Sequence, residues 1–117
     1  MGSISWRVVY TDEFGEWFEG LSDGQQDALD GRVQLLEEHG PNLGRPTVDH
    51  VEGSRHQNMK ELRVSKGGDL RVLFAFDPLR RAVLLIGGDK RGRWDRWYRE
   101  AIPKADDLFD TWLTRHL

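Results

Sequence analysis

Residues 58–87 constrain the fold most, because they predict three short strands separated by two turns. Residues 58–65, 69–77 and 80–87 are three runs rich in apolar residues, and side-chain alternation assigns the residues of the first two runs to opposite faces. Lys66-Gly67-Gly68 and Asp77-Pro78-Leu79 separate the three runs and are typical of tight turns. Strands joined by such short turns pair antiparallel, so this segment predicts an antiparallel meander.

A helix pair is predicted between an opening strand at residues 6–10 and the meander. Thr11 can cap a first, short helix, in which apolar residues recur at helical spacing. Ser22 and Gln25 form a capping box that starts a second, longer helix, which ends before Pro41. The apolar residues of this second helix fall on one face, so we expect it to pack by that face.

The remaining segments predict one loop and one final helix. Residues 41–57 are rich in Pro, Gly and polar residues, so we expect a loop, and its length is typical of loops that bind something. Pro103 favours a helix start, which would place Asp106 and Asp107 in a first turn as solvated partners of the helix dipole. The whole order predicts an α+β fold, β-α-α-β-β-β-α, with an antiparallel sheet packed against the N-terminal helix pair.

The composition is that of one globular domain, expected to span residues 1–117. Hydrophobic residues make up 38% of the chain and charged residues 32%, as is typical of globular proteins. The chain contains no cysteine, which excludes disulfides and thiolate metal sites and favours a reducing, cytoplasmic compartment. No apolar run approaches the ~20 residues that a membrane-spanning helix needs, so we expect no membrane partner.

Positive charge is concentrated in one part of the chain. Residues 55–99 contain twelve Lys or Arg and five Asp or Glu, a net charge of +7, whereas the rest of the chain carries −10, giving −3 in total. A positive segment on an acidic protein can attract phosphate locally, because salt screens distant charges. The same residues could instead protect the edges of hairpins against pairing with other strands.

The meander also brings candidate chemical groups together. Side-chain alternation places Glu61, Arg63 and Arg71 on the sheet face that the N-terminal helices do not cover. Lys60 is expected at the margin of the other face. A basic turn with Lys90 and Arg91 follows the third strand of the meander, and an aromatic stretch that contains Tyr98 comes after this turn.

These residue types fit metal-free cleavage of RNA. A base can take the proton of the 2′-OH, cations can stabilise the charge on the phosphate, and an acid can protonate the leaving oxygen. Arginines suit the phosphate because their planar forks bind it in bidentate fashion, and Glu61 or Lys60 could be the base. Tyr98 could donate a proton or stack on a base of the RNA. An equally good interpretation is that Glu61 only forms a cross-strand ion pair with an arginine on a solvated face.

Other site classes find no support in the sequence. The four histidines do not show any familiar spacing of metal ligands, and Asp106, Asp107 and Asp110 are expected to be solvated. Glycine-rich nucleotide-binding motifs and the nucleophile motifs of acyl transfer are missing from the sequence. We therefore expect neither a metal nor a cofactor.

Four motifs carry a resemblance to a known family. M-K-E-L-R, L-R-V-L-F-A-F-D, V-L-L-I-G-G-D-K and the closing W-Y-R-E-A-I-P-K-A-D-D-L-F-D, in this order of elements, resemble the HigB-like branch of the RelE/ParE superfamily of bacterial and phage toxins. The resemblance runs from about Trp6 to the last helix and is most specific in residues 59–110.

The resemblance implies a toxin of a type II toxin–antitoxin system that cuts mRNA in the ribosomal A site without a metal. It implies, as partners, the ribosome with its mRNA and a cognate helix-turn-helix antitoxin, through which alone the toxin would meet operator DNA. The expected catalytic residues are Lys60, Glu61, Arg63, Arg71, Lys90 and Tyr98, and the expected RNA-binding residues are Arg91, Arg93, Arg96 and Trp97.

The resemblance leaves three points open. RelE itself has a lysine where Glu61 stands, so the identity of the general base is not fixed. His50 and His56 lie in the loop before the meander, where some HigB toxins use a histidine. ParE-like members keep the fold but inhibit DNA gyrase, and a toxin fold can also serve only as a binding module.

Overall fold

The computed structural model describes residues 6–65, 69–89 and 94–117. The elements are, in chain order, β1 (Arg7–Tyr10), α1 (Asp12–Glu19), α2 (Asp23–His39), a 3₁₀ turn (Gly40–Asn42), β2 (Val48–His50), β3 (Lys60–Val64), β4 (Leu70–Phe76), β5 (Arg81–Asp89) and α3 (Trp94–His116). The predicted turn at residues 66–68 and the basic turn at residues 90–93 lie outside the described residues.

The five strands form one mixed sheet in the order β1-β5-β4-β3-β2. The predicted antiparallel meander is confirmed, since β3 pairs with β4 and β4 with β5 in antiparallel fashion. The predicted α+β fold is confirmed, and the sheet is mixed because β1 runs parallel to β5. A parallel neighbour needs a crossover connection, and β1 is joined to the meander through the two helices and the segment after them.

The starts of both N-terminal helices follow the predicted capping. The Thr11 side chain accepts a hydrogen bond from the Phe14 amide, which satisfies an unpaired N–H of the first turn of α1. Ser22 and Gln25 form the predicted capping box, in which each side chain accepts a hydrogen bond from the other residue's amide.

Both faces of the sheet are covered, because a helix also packs on the face that the N-terminal helices leave uncovered. The α1–α2 face carries a core that includes Leu62, Val72 and Phe74. The opposite face carries a second core, in which Leu73 and Leu85 of the sheet pack with Phe109 of α3. Helix periodicity alone does not tell which face a helix covers, and this is why the sequence did not place α3.

Two adjacent glycines let tryptophans approach β5 from both sides. A Cβ atom on Gly87 would lie 2.2 Å from the Trp17 ring of α1, and one on Gly88 would lie 2.3 Å from the Trp97 ring of α3. Neither ring could stay in place beside a side chain. Gly88 therefore allows the position of Trp97, next to Tyr98, and Gly87 allows that of Trp17.

Helix α3 begins at Trp94, not near Ala101 as Pro103 had suggested. Pro103 lies inside the helix, where it removes one backbone hydrogen bond. Packing of Trp97 against β5 favours helix on the N-terminal side of the proline. As a consequence Asp106 is not a solvated residue of a first turn; it is 2% exposed in the middle of α3.

A buried polar contact joins the β4–β5 turn to α3. Asp77 accepts hydrogen bonds from Arg81 Nε at 2.7 Å and from Trp112 Nε1 at 3.0 Å. Burial alone would raise the pKa of the Asp77 carboxyl, but these donors outweigh it and hold that pKa below its ordinary value. Asp77 therefore stabilises the fold as a carboxylate.

The predicted loop at residues 41–57 is only partly a loop. It contains the end of the 3₁₀ turn and the strand β2, which pairs antiparallel with β3 at the edge of the sheet. Three residues are too few for a visible alternation, so the sequence did not predict this strand. Among the described residues, no helix is both long and apolar enough to cross a membrane.

Candidate functional site

A polar network lies on the α3 face of the sheet, near the end of the sheet that β2 forms. It consists of Asp49 from β2, Glu61 and Arg63 from β3, Arg71 from β4 and Tyr98 from α3. Registers of the strands bring these residues to one face, because Asp49 pairs with Glu61 and Arg63 pairs with Arg71. The predicted grouping of Glu61, Arg63 and Arg71 is confirmed.

Glu61 is the centre of the network, and its side chain is 5% exposed. One carboxylate oxygen, Oε2, accepts from Arg63 Nε at 2.8 Å and lies 2.7 Å from Arg63 Nη2 and 3.4 Å from Arg71 Nη1. The other oxygen, Oε1, accepts from the Tyr98 hydroxyl at 2.5 Å. A buried carboxylate needs such compensation, so Glu61 holds the two arginines and the phenol together.

The arginines are only partly covered. The Arg63 side chain is 34% exposed and that of Arg71 is 22% exposed. Arg63 Nη2 also donates to Asp49 Oδ2 at 3.2 Å, and Arg71 Nη1 donates to the Tyr98 hydroxyl oxygen at 2.7 Å. The Arg71 guanidinium lies over the Trp94 ring, 5.0 Å from its centroid. Pairing in the network orients both guanidinium groups while part of each faces solvent.

The network also shifts the proton affinities of its members. Burial raises the pKa of Tyr98 to about 12, and the hydrogen bond to the Glu61 carboxylate acts in the same direction. The hydrogen bond to Glu61 raises the pKa of the Arg63 guanidinium, although burial opposes this. Tyr98 is therefore a neutral phenol at physiological pH, and its proton points at Glu61.

A pocket of about 350 Å³ opens beside the network. Its lining includes Glu61, Arg63 and Tyr98 of the network, together with His50, Val51, Glu52 and Ile102. A larger pocket of about 500 Å³ lies between the helix pair and strands β1 and β5, and none of the network residues lines it. We place the candidate site at the smaller pocket, because only there do charged groups and a perturbed phenol converge.

Several predicted site residues lie elsewhere. Lys60 points to the α1–α2 face, where its Nζ lies 6.0 Å from the centroid of the Phe76 ring, so the structure does not bring it to Glu61. Arg96 is 77% exposed on α3, and its Nε lies 3.7 Å from Glu100 Oε1. Trp97 packs against β5. Lys90, Arg91 and Arg93 lie outside the described residues.

The two loop histidines differ in position. His50 is at the end of β2 and lines the pocket. The ring of His56 contacts Asp110 of α3, with 2.7 Å between Nε2 and Oδ1, and does not line the pocket. The part of the chain that the structure describes contains no group of three His, Asp or Glu side chains arranged to hold a metal ion.

Sequence reasoning missed Asp49, which belongs to the network through Arg63. Its strand was predicted as loop, so no alternation assigned it to a face. A usable signal was present, because Val48 and Val51 are apolar on either side of Asp49 and His50. Val48 packs in the α1–α2 core and Val51 in the α3 core.

Comparison with known proteins assigns the chain to a family. The family described as "Phage derived protein Gp49-like (DUF891)" matches residues 16–110. The chain is 48% identical over 106 residues to "Putative toxin HigB3" of Mycobacterium tuberculosis (strain ATCC 25618 / H37Rv), covering 91% of this chain and 92% of that protein. It is 45% identical over 109 residues to "Putative toxin HigB2" of the same organism, covering 92% of this chain and 54% of that protein. The chain thus spans about half the length of this second relative.

Two solved structures have the same fold. The chain superposes on one in the intact E. coli RelBE toxin–antitoxin complex with a TM-score of 0.60 and 8% identity, covering 76% of this chain and 100% of that one. It superposes on one in the archaeal RelE–RelB complex from Pyrococcus horikoshii OT3 with a TM-score of 0.55 and 20% identity, covering 76% and 98%. At these identities the likeness establishes the fold alone.

Proposed function

We propose a ribosome-dependent mRNA endonuclease for this chain, which belongs to the Phage derived protein Gp49-like family and is a HigB-like toxin of a toxin–antitoxin system within the RelE/ParE superfamily. The observation that supports the proposal is the network of two arginines and a phenol around Glu61, beside an open pocket.

The arginines are the proposed phosphate-binding groups. Within the described residues, Arg63 uses Nε and Nη2 for its carboxylate partners, and Arg71 uses only Nη1 in hydrogen bonds. We propose that Arg63 Nη1, Arg71 Nε and Arg71 Nη2 donate to the phosphate. Donors that are already oriented stabilise charge on a phosphate without reorganisation when the reaction occurs.

Proton transfer is proposed to run through Tyr98 to Glu61. The phenol oxygen already accepts from Arg71, and its second lone pair can accept from the 2′-OH of the RNA. As the 2′-oxygen bonds to phosphorus, its proton passes to Tyr98, and the proton of Tyr98 passes to Glu61 Oε1 across the 2.5 Å hydrogen bond. The bond from phosphorus to the 5′-oxygen breaks on the side opposite the 2′-oxygen. The 5′-oxygen takes its proton from water, and Glu61 later releases its proton to solvent through Tyr98. The products are a 2′,3′-cyclic phosphate and a 5′-hydroxyl.

This relay changes the roles expected from the sequence. Glu61 is too enclosed to reach the 2′-OH itself, since its side chain is 5% exposed and both oxygens are engaged. Glu61 acts through Tyr98. Lys60 has no role in the proposed reaction, because it lies on the opposite face of the sheet. On sequence grounds, Lys90 is retained in the proposal as a catalytic residue, and Arg91 and Arg93 are retained as RNA-binding residues.

The proposed partners are the ribosome carrying mRNA and a cognate helix-turn-helix antitoxin. Support for an antitoxin comes from the two solved neighbours, both of which are toxin–antitoxin complexes. Operator DNA is expected to contact the antitoxin and not this chain, whose net charge is −3.

The test is primer extension on an mRNA translated in a reconstituted system, with a parallel reaction on ribosome-free RNA. Wild-type protein should give cuts only on translated message. Arg71→Ala should abolish them, and Arg71→Lys, which keeps the charge but loses the planar fork, should restore them weakly. A folded wild-type protein that makes no cuts would refute the endonuclease, and inhibition of DNA gyrase supercoiling would then be measured.

A further inference from the structure

Residues 51–59, here called the docked loop, leave the sheet and return to it at one place. The Val51 amide donates to the Met59 carbonyl at 3.2 Å, and the Met59 amide donates to the His56 carbonyl at 3.1 Å. Val51 is 6% exposed and Met59 is fully buried. A compact loop whose ends meet in this way projects its middle residues as one unit.

Asp106 fastens the middle of the docked loop to α3. The Ser54 hydroxyl donates to Asp106 Oδ1, and the Arg55 amide donates to Oδ2 at 2.9 Å. Ser54 Oγ in turn accepts from the His56 amide at 3.0 Å. The carboxylate is 2% exposed, so these hydrogen bonds offset its loss of water. Further ion pairs from the loop to Asp107 and Asp110 are more exposed and contribute less.

The same face of α3 carries the anchor and the proposed reaction site. Tyr98, Ile102 and Asp106 follow one another at intervals of four residues, so they form one row along the helix. Tyr98 belongs to the network, Ile102 lines the pocket, and Asp106 holds the docked loop. From the other side, Val51 and Glu52 of the docked loop line the same pocket.

We propose that the pocket between the docked loop and α3 accepts the nucleobase next to the cleaved phosphate, and that Asp106 is the positioning residue that holds the wall of this pocket. Val51 and Ile102 contribute apolar atoms to the lining of the pocket, where a base can pack, and Arg63, which lines the same pocket, can meet its phosphate. Unpaired RNA bases are commonly recognised in such pockets, splayed out of the strand. The proposal rests on the endonuclease function and adds the recognition of a base to it.

Three substitutions on α3 distinguish the effect of the hydrogen bonds between Asp106 and the docked loop from the effect of the Asp106 charge and from a general loss of stability. Asp106→Ala removes both acceptors of the docked loop. Asp106→Asn can keep both contacts, because its Oδ1 accepts from the Arg55 amide while its Nδ2 donates to Ser54 Oγ. Asp107→Ala is the matched control, since its side chain is 76% exposed and holds the loop only through Arg55.

The four nucleoside 3′-monophosphates are titrated into each folded protein and followed by NMR, and the cut sites on translated mRNA are mapped in parallel. Asp106→Ala should weaken mononucleotide binding by about tenfold, raise KM more than it lowers kcat, and relax the preference for the base at the cut. Asp106→Asn should stay within about threefold of wild type, and Asp107→Ala should match it.

The outcomes distinguish the two proposals. If the wild-type protein did not cleave mRNA but still bound mononucleotides in a way that depended on Asp106, the endonuclease function would be refuted and the base-binding pocket would be supported. Asp106→Ala protein with a lowered melting midpoint but unchanged affinities and cut sites would overturn the positioning role. The positioning role would also be overturned if Asp106→Asn lost as much mononucleotide affinity as Asp106→Ala, because the charge of Asp106, and not its hydrogen bonds to the docked loop, would then be responsible. No detectable mononucleotide binding to wild type would overturn the base pocket.

Discussion

Glu61→Gln tests the centre of the network, because it removes a negative charge and changes the side-chain shape very little. Its Oε1 can take the place of the oxygen that accepts from Arg63 and Arg71. Its Nε2 then faces the Tyr98 oxygen, which can accept a hydrogen bond instead of donating one. The contacts survive, but a glutamine side chain cannot take up the proton that the relay delivers.

The cost in stability follows from the hydrogen bonds that lose their charge. In the variant the two arginines donate to a neutral oxygen. Because a charge-assisted hydrogen bond stabilises a protein more than a neutral one, the free energy of unfolding should fall by about 2 kcal/mol in total. Such a loss leaves a protein of ordinary stability folded, because total stabilities are about 5–15 kcal/mol. It lowers the melting midpoint by about 8 °C for a chain of this size.

The cost in rate is larger than the cost in stability. Loss of a general base lowers the rate of a reaction by about 10²–10⁴-fold. Affinity for RNA should be kept or rise, because the network loses one negative charge. Single-turnover cleavage on programmed ribosomes gives the rate, and a binding titration gives the affinity, both well below the melting midpoint.

Glu38→Gln is the matched control. It makes the same chemical change on α2, where the Glu38 side chain is 70% exposed and does not line the pocket. Its cleavage rate should equal that of wild type. A Glu61→Gln protein that cleaves within about threefold of wild type would refute the relay, and Glu61 would then only align the arginines.

Three further expectations concern the proton of Tyr98, the glycine pair and the buried aspartate. Tyr98→Phe should remove the phenol that ionises with a pKa of about 12, as seen in the ultraviolet absorbance of phenolate, and should slow cleavage as much as Glu61→Gln does, with no further loss in the double variant. An additive double variant would contradict a shared relay. Gly87→Ala and Gly88→Ala each introduce a clash with a tryptophan ring and should lower stability by a similar ~1–3 kcal/mol, but only Gly88→Ala, on the α3 face, should slow cleavage. Equal rates for the two would show that Trp97 does not position the site. Asp77 has a lowered pKa in the folded state, so its stabilisation is present above the pKa of the unfolded chain and is lost as pH falls through the folded value. The free energies of unfolding of wild type and Asp77→Asn, measured in urea, should therefore begin to converge as pH falls below about 4 and approach each other further at lower pH. A difference that stays constant over this range would contradict this.

The sequence predicted those features that depend on local patterns. Alternation along residues 58–87 fixed the meander and assigned Glu61, Arg63 and Arg71 to one face, as the strand registers confirm. The capping box at Ser22 located the start of α2. These signals are reliable because they reflect side-chain direction and backbone hydrogen bonding within a few residues.

Features that depend on distant contacts could not be read in the same way. Pro103 normally begins a helix, but packing of Trp97 on Gly88 extends α3 nine residues before it. The short strand β2 exists because β3 offers an edge to pair with. Both effects come from tertiary packing, which overrides local preference.

The misplaced start of α3 had the largest consequence for the site. A helix that begins near residue 101 leaves Tyr98 in a linker and Asp106 in a solvated first turn, and the sheet face above Glu61 is then open to water. With the helix extended to Trp94, Tyr98 comes over Glu61, and the row of Tyr98, Ile102 and Asp106 spans from the network to the docked loop. Burial of Tyr98 on that face, together with its hydrogen bond to Glu61, raises the pKa of Tyr98. The ion pairs of Glu61 are therefore not those of a solvated sheet face, because α3 covers Glu61 and orients the proton of Tyr98 toward it. This cover by α3 is the physical reason for proposing a reaction site there.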